Sequence, residues 1–498
     1  MIMIHFPLVL LQLIFWEQVL AVGLDSPPPS APHTSQQWIR EHVAGYEEPF
    51  TLTIREKPLR VCPAVAKFYY GRDYLPAWNN SQAEHLLAAL KTAHREGLDP
   101  ADYQIERVES TLNAAQANST DNVIRAELDI LLSQIFMRYA SHLGGWRVDH
   151  PSNVDPEWAA KRPFIDLPEL LNKALANDRI AETLFGLLPT HPDYIRLREA
   201  LARYREGSEG KRPNKSTTAV KAKTKNQPQR QVNADVASES IKSKIRQIEI
   251  NLERWRWLPR DLGKRYIMVN VPNYDLKVVE NERTVLTMRV VVGKPYLRTP
   301  VFNSEMTYLV INPYWNVPPS IAEKELLPIL RRDPSYLARH DMEIVARKGK
   351  FLLRQRPGIK NPLGTVKFMF PNRFNVYLHD TSQRGLFARR ERVFSHGCIR
   401  IEKPTELLEY VLGPNSRWNR NTLRTLNRER ERIVSLPQPI PVHIMYWTAW
   451  VDDDGKVQFR KDIYGRDRLL EAKLNPQSSN NNAPPKKLAN KSNPKRRG

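Results

Sequence analysis

Cysteine is almost missing from this chain: Cys62 and Cys398 are the only two in 498 residues. Two cysteines cannot build a disulfide framework or a Cys-rich zinc site. Glycine is sparse at 20 residues and no heptad or fixed-period repeat is present, which excludes collagen-like, low-complexity and coiled-coil classes. Beyond the N-terminus no segment is long and apolar enough to cross a bilayer. What is there, 41% apolar and 26% charged residues, suffices for two or three globular domains. The net charge of +22 is unevenly placed: residues 211–230 carry seven Lys/Arg, residues 475–498 carry six, and neither stretch holds an acid. Basic character therefore belongs to a linker and a tail rather than to a folded face, and no nucleic-acid partner is expected. Solvated disorder is the first reading of both stretches, and weak attraction to polyanionic envelope surfaces is the second.

The N-terminus has the layout of an export signal. Residues 6–16 form an apolar run, Ala21-Val22-Gly23 is a small-x-small cleavage site, and residues 26–32 are rich in Pro and Ser. The n-region lacks Lys and Arg, having only His5, while Gln12 and Glu17 interrupt the run and disfavour a spanning helix. The expectation is a signal peptide over 1–23, with an uncleaved anchor as the alternative and a periplasmic location in either case.

Residues 35–205 predict a helical domain. Ala83, Leu86, Leu87, Leu90 and Ala93 recur at helical spacing, and Leu128, Leu131, Leu132, Ile135, Phe136 and Tyr139 make a second stripe that stops at Gly144-Gly145. Its histidines, His85, His94 and His142, stand singly, without catalytic spacing. Residues 206–240 read as a basic disordered linker, and order resumes with a helix over 241–257. From residue 265 the texture changes to short β-branched runs, at 266–271, 276–279, 285–292, 306–311, 374–379 and 398–402. Helices are expected over 320–330 and 404–412, and a hairpin pairs 442–450 with 457–463. So many short strands suggest a curled sheet or partly open barrel.

The chemistry-bearing stretch is Tyr377-Leu378-His379-Asp380 followed by Ser395-His396-Gly397-Cys398-Ile399-Arg400. A thiol is nucleophilic as the thiolate, and a histidine within reach can take its proton and later return it to a leaving amine. Gly397 permits a tight turn that leaves backbone N–H groups free to hold a tetrahedral oxyanion. Cys62, beside Pro63 and Ala64, reads as a small buried hydrophobe. The rival readings are a Cys62–Cys398 disulfide and a zinc site from His379, His396 and Cys398; no paired cysteines and no HExxH helix support the metal. No metal and no cofactor are expected.

These residues resemble the signature of the L,D-transpeptidase (YkuD) catalytic domain. Asn312-Pro313-Tyr314-Trp315-Asn316-Val317-Pro318-Pro319, Asn361-Pro362-Leu363-Gly364 and Tyr377-Leu378-His379-Asp380-Thr381 are similar to its YcbB-type branch. Tyr74-Leu75-Pro76-Ala77-Trp78 and residues 97–103 resemble the helical scaffold domain of that branch. The small peptidoglycan-binding module that often follows the scaffold is replaced here by the Lys-rich linker. The resemblance implies an α+β multidomain chain: helical scaffold, then a β-rich catalytic domain over 241–474 with a capping insert at about 319–371, then a basic disordered tail over 475–498. It implies Cys398 as nucleophile, His379 as general base and acid, His396 as secondary, and the Gly397 and Cys398 N–H groups as oxyanion hole. Arg400, Tyr377, Trp315 and Asn361 would line the pocket for a peptidoglycan tetrapeptide stem, with Arg400 on a stem carboxylate. The expected reaction is a 3→3 cross-link formed through a thioester with release of D-alanine. The acceptor would be a second stem or an outer-membrane lipoprotein lysine. Two alternatives compete: a thiol carboxypeptidase or amidase with water as acceptor, and a non-catalytic basic wall-binding scaffold.

Overall fold

The computed structural model describes residues 34–159, 162–209, 227–347, 350–414, 416–425 and 430–475. The expected signal segment, the lysine-rich part of the linker and the tail beyond residue 475 lie outside the described residues.

The N-terminal half is helical, as its apolar stripes predict: α1 (Ser35–Val43), α2 (Pro63–Tyr70), α3 (Asn80–Lys91), α4 (Ile105–Ala117), α5 (Asn122–Leu143), α6 (Leu167–Ala176), α7 (Ile180–Phe185) and α8 (Pro192–Glu209). Thr34 and Asn79 close capping boxes with Gln37 and Gln82, which fixes where α1 and α3 begin. Helix α5 is central, with residues 130–137 buried on every side. Its buried Asp129 accepts from the Tyr69 hydroxyl at 2.6 Å and from the Ala77 and Trp78 N–H groups at 2.9 and 3.0 Å. That network offsets the carboxylate's desolvation and ties the 74–78 loop to the helix. One feature was not expected, the hairpin of β1 (Phe50–Ile54) and β2 (Lys57–Val61). Its five-residue strands are too short to stand out among helical stripes.

Helix α9 (Gln227–Arg256) starts inside the stretch expected to be linker. Residues 227–240 lack glycine, and Pro228 sits in the first turn, where a missing N–H does no harm. The far end of α9 joins the two halves. Ile248, Leu252 and Trp255 enter the helical core, together with Tyr266, Met268, Met445 and Trp447 from the β-rich half. Trp255 stacks on Trp447 at 4.4 Å. Gly145, at φ +87°, passes so close that a Cβ would lie 2.6 Å from the Arg256 carbonyl oxygen.

The β-rich half is a barrel. Strands β3 (Arg265–Asn270), β4 (Asp275–Glu280), β5 (Arg283–Gly293) and β6 (Phe302–Ile311) match the expected runs. After β6 the chain leaves for a small cap containing β7 (Trp315–Asn316), β8 (Met342–Arg347) and β9 (Lys350–Gln355), sheet order β7-β9-β8. It returns with β10 (Val366–Met369), β11 (Leu378–His379), β12 (Val393–Ser395), β13 (Ile399–Ile401) and β14 (Arg432–Met445). The order β12-β5-β13-β11-β10-β6-β14-β3-β4 is closed by a further β4–β5 pairing, so the curled sheet meets itself. The interior is filled by alternate residues such as Val290, Leu309, Phe368, Leu378, Ile399 and Val442.

Three boundaries differ from expectation. The insert spans 312–365 rather than 319–371, because Val366 pairs with Ile311 and β10 belongs to the barrel. Only Leu378 and His379 of the 374–379 run are strand, since Asn375 adopts φ +53°. The hairpin is confined to β15 (Ala449–Val451) and β16 (Val457–Phe459), while 442–445 ends β14 inside the barrel. Asn270 and Asn251 cause that break, capturing the Trp447 and Thr448 N–H groups at 2.9 and 3.0 Å.

Candidate active site

Strands β11 and β13 lie side by side and parallel, with Leu378 against Ile399 and His379 against Arg400. The Ile399 N–H donates to the Tyr377 carbonyl at 3.1 Å, which extends the register back by one residue. Side chains alternate along a strand, so Leu378 and Ile399 enter the core while Tyr377, His379, Cys398 and Arg400 share the opposite face. Lys367 pairs with His379 across β10 and joins that face. The sequence reading overlooked Lys367; its signal is a lone cation among the apolar residues of β10. Its Nζ lies 4.3 Å from the Tyr377 ring centroid, and the Tyr377 and His379 rings are 5.6 Å apart.

The imidazole of His379 is buried, and its Nδ1–H donates to the Asp380 carbonyl at 2.6 Å. That bond fixes the tautomer and leaves Nε2 with its lone pair. Burial, then the Arg400 and Lys367 cations, push the His379 pKa down to about 3 against the pull of the Asp380 bond. Burial also pushes the Cys398 thiol up, opposed by the Tyr377 N–H and hydroxyl and by the Lys367 and Arg400 charges. The S–H donates to the Asn375 carbonyl at 3.7 Å. Burial thus favours the neutral form of both the thiol and the imidazole. Both cysteines are free and partly buried.

The loop before β13 is organised by Ser395, which the sequence motif contains without showing its role. The Ser395 hydroxyl donates to the Cys398 carbonyl and accepts from the Gly397 N–H at 3.1 Å. Gly397 itself sits at φ +110°, open to glycine and strained for other residues. Its N–H is therefore engaged, which corrects its expected place in the oxyanion hole. Among the described residues no hydrogen bond engages the Cys398 N–H, which remains the backbone donor beside the sulfur.

The other expected site residues divide. Arg400 stands opposite His379, with Nη1 on the Gln383 side-chain oxygen at 2.6 Å and a buried Nε that has no partner. His396 turns to the cap, its Nε2 on the Glu325 carboxylate at 2.6 Å, and fastens the loop before β13 to the insert. Trp315 packs on the cap's own small cluster around Val317, Leu326 and Met342. Asn361 is fully buried, donates to the Pro313 and Arg356 carbonyls at 3.0 Å and accepts from the Leu363 N–H at 2.8 Å. With its amide engaged on the backbone, it staples the base of the cap and does not line a pocket. Among the described residues no group of three or more His, Cys, Asp or Glu is placed to hold a metal ion.

Asp380 clamps the cap's exit to the strand end that carries His379. Its Oδ2 accepts from the Thr365 N–H and hydroxyl at 2.9 Å, and its Oδ1 accepts from the Thr381 N–H at 2.7 Å. Gly364 lies against it at φ +59°, where a Cβ would come 2.3 Å from Oδ2. Gly364→Ala is expected to destabilise the fold by about 2–4 kcal/mol, from the left-handed backbone and the clash together. Denaturant melts check the stability, and slower alkylation of Cys398 would report the accompanying shift of the site.

Comparison with known proteins agrees with this architecture. Residues 264–442 match the YkuD L,D-transpeptidase catalytic domain and residues 63–201 match the Scaffold domain. A Haemophilus influenzae protein named as a candidate L,D-transpeptidase is 27% identical over 450 residues, covering 84% of this chain and 82% of its own. Among solved structures, an L,D-transpeptidase from Mycobacterium smegmatis matches at 13% identity, over 36% of this chain and 58% of its own length, with a TM-score of 0.21. A mutant Enterococcus faecium L,D-transpeptidase matches at 13% identity, over 50% of this chain and 82% of its own, with a TM-score of 0.16. No helix among the described residues is long and apolar enough to cross a membrane. The chain thus carries a YkuD L,D-transpeptidase catalytic domain behind a helical Scaffold domain.

Proposed function

We propose that the chain forms 3→3 cross-links between peptidoglycan stems through a cysteine acyl-enzyme. The observation that carries this reading is the shared face of β11 and β13, which brings together a part-exposed thiol and an imidazole whose Nδ1 is engaged on the backbone. Cys398 gives its proton to His379 Nε2 as the sulfur attacks the carbonyl of the third, diamino-acid residue of a tetrapeptide. Because burial disfavours both the lone thiolate and the lone imidazolium, proton transfer and attack proceed together. The Cys398 N–H holds the oxyanion. Collapse breaks the peptide bond, and the departing D-alanine amine takes the proton from Nε2, leaving a thioester. The side-chain amine of a second stem then attacks, yields its proton to His379 and expels the sulfur, which recovers that proton. Arg400 and Lys367, which form no ion pair among the described residues, suit the carboxylates of an anionic stem. A lipoprotein lysine is a second acceptor of the same chemistry, and an exported, periplasmic enzyme is the setting both acceptors require.

Purified protein incubated with tetrapeptide muropeptides tests the reading by mass spectrometry of the products. Cross-linked dimers with loss of D-alanine are expected. Tripeptides without dimers would assign hydrolysis instead, and unchanged tetrapeptide would leave a non-catalytic wall-binding role.

A further inference from the structure

The Gly397 carbonyl belongs to the same peptide unit as the Cys398 N–H. In a trans peptide these two groups point in opposite directions, so whatever holds the one aims the other. The Thr299 hydroxyl donates to the Gly397 carbonyl at 2.9 Å and accepts from the Gly293 N–H at 2.9 Å. Thr299 is fully buried, and its own backbone is held at both ends. Its N–H donates to the Tyr464 hydroxyl at 3.3 Å, and that hydroxyl donates to the Gly293 carbonyl at 2.6 Å. Its carbonyl accepts from Arg466 Nη1 at 3.1 Å.

Arg466 is itself buried and leads out of the barrel. Its Nε pairs with Asp155 and its Nη2 with Glu157 at 2.8 Å, both in the segment that follows α5. That segment also exchanges backbone hydrogen bonds with Val301, at 2.8 and 2.9 Å. A continuous polar path therefore runs from the Scaffold segment through Arg466 and Thr299 to the peptide in front of the nucleophile.

We infer that Thr299 is a positioning residue that aims the Cys398 N–H at the developing oxyanion, with Arg466 and the Scaffold carboxylates Asp155 and Glu157 holding it in place. The inference rests on the acyl-enzyme reading and gives the Scaffold domain a part in catalysis.

The test uses the full chain with Thr299→Val, nearly isosteric but without the hydroxyl, and Thr299→Ser, which keeps it. D-alanine release from tetrapeptide supplies kcat and KM, and iodoacetamide alkylation of Cys398 supplies a thiol readout that needs no oxyanion hole. Thr299→Val should lower kcat about 10–100-fold, with KM and the alkylation rate held within about twofold. Thr299→Ser should recover kcat to within about threefold. Unchanged kcat in Thr299→Val, equal losses in both variants, or a parallel fall in alkylation would each overturn the inference. Should Thr299→Val lose its thermal transition, Thr299→Ala is judged by the same outcomes. A wild-type chain that alkylates normally yet releases no D-alanine would overturn the transpeptidase reading, and this inference with it.

Discussion

Cys398→Ala is expected to abolish D-alanine release, a loss of at least about 10⁴-fold, while leaving the melting transition in place. The residue is partly exposed, and its sulfur is held only by a long contact to the Asn375 carbonyl and by Tyr377. Removing it therefore takes away chemistry and little packing. The same variant separates acylation from binding. A carbapenem-type β-lactam opened by the sulfur adds its whole mass to the protein, so intact-mass spectra should show that increment on the wild type and none on Cys398→Ala. An adduct on both proteins would place the reactive group elsewhere.

His379→Gln is expected to lower kcat about 10²–10⁴-fold, the usual range for removing a general base. The sharper expectation concerns pH. With its pKa pushed down to about 3, His379 is already neutral across the physiological range. No acid limb near pH 6.5 should appear in kcat/KM from this group. Activity should instead stay level up to the ionisation of the Cys398 thiol, which burial pushes up, because thiol and imidazole are both neutral in the reactive state. Stability follows the same sign. Between pH 6.5 and about 3 the unfolded chain binds a proton at residue 379 that the folded chain refuses, so stability falls as the solution is acidified through that window. His142, also pushed down to about 3 by burial, acts in the same direction. A kcat/KM profile with a limb at pH 6–7 that His379→Gln removes would contradict this account.

The shared face of His379 and Cys398 was legible because its signal is local. Two polar residues end short apolar runs, and the strand period alone puts Tyr377 with His379 and Cys398 with Arg400. The barrel strands were legible for the same reason, their period-two burial being written in Val, Ile and Leu. What escaped depends on partners far away in the chain. Lys367 is meaningful only through its register with His379, and Thr299 only through a carbonyl 98 residues on. Asn361 reads as a pocket residue until its amide is seen engaged on Pro313, Arg356 and Leu363. The contact of His396 with Glu325, 71 residues before it, is likewise invisible in the local sequence. The end of the cap was misplaced because β10 is recognisable as a barrel strand only by its pairing with β6.

The central claim is that the sulfur of Cys398 carries the donor stem as a thioester. Rapid mixing of the full chain with tetrapeptide stem, an acid quench and intact-mass spectrometry test it directly. The account predicts a transient increment equal to the donor minus D-alanine, mapped to the peptide bearing Cys398 and lost on addition of an amine acceptor. Product accumulating while that peptide stays unmodified at every time point would contradict it.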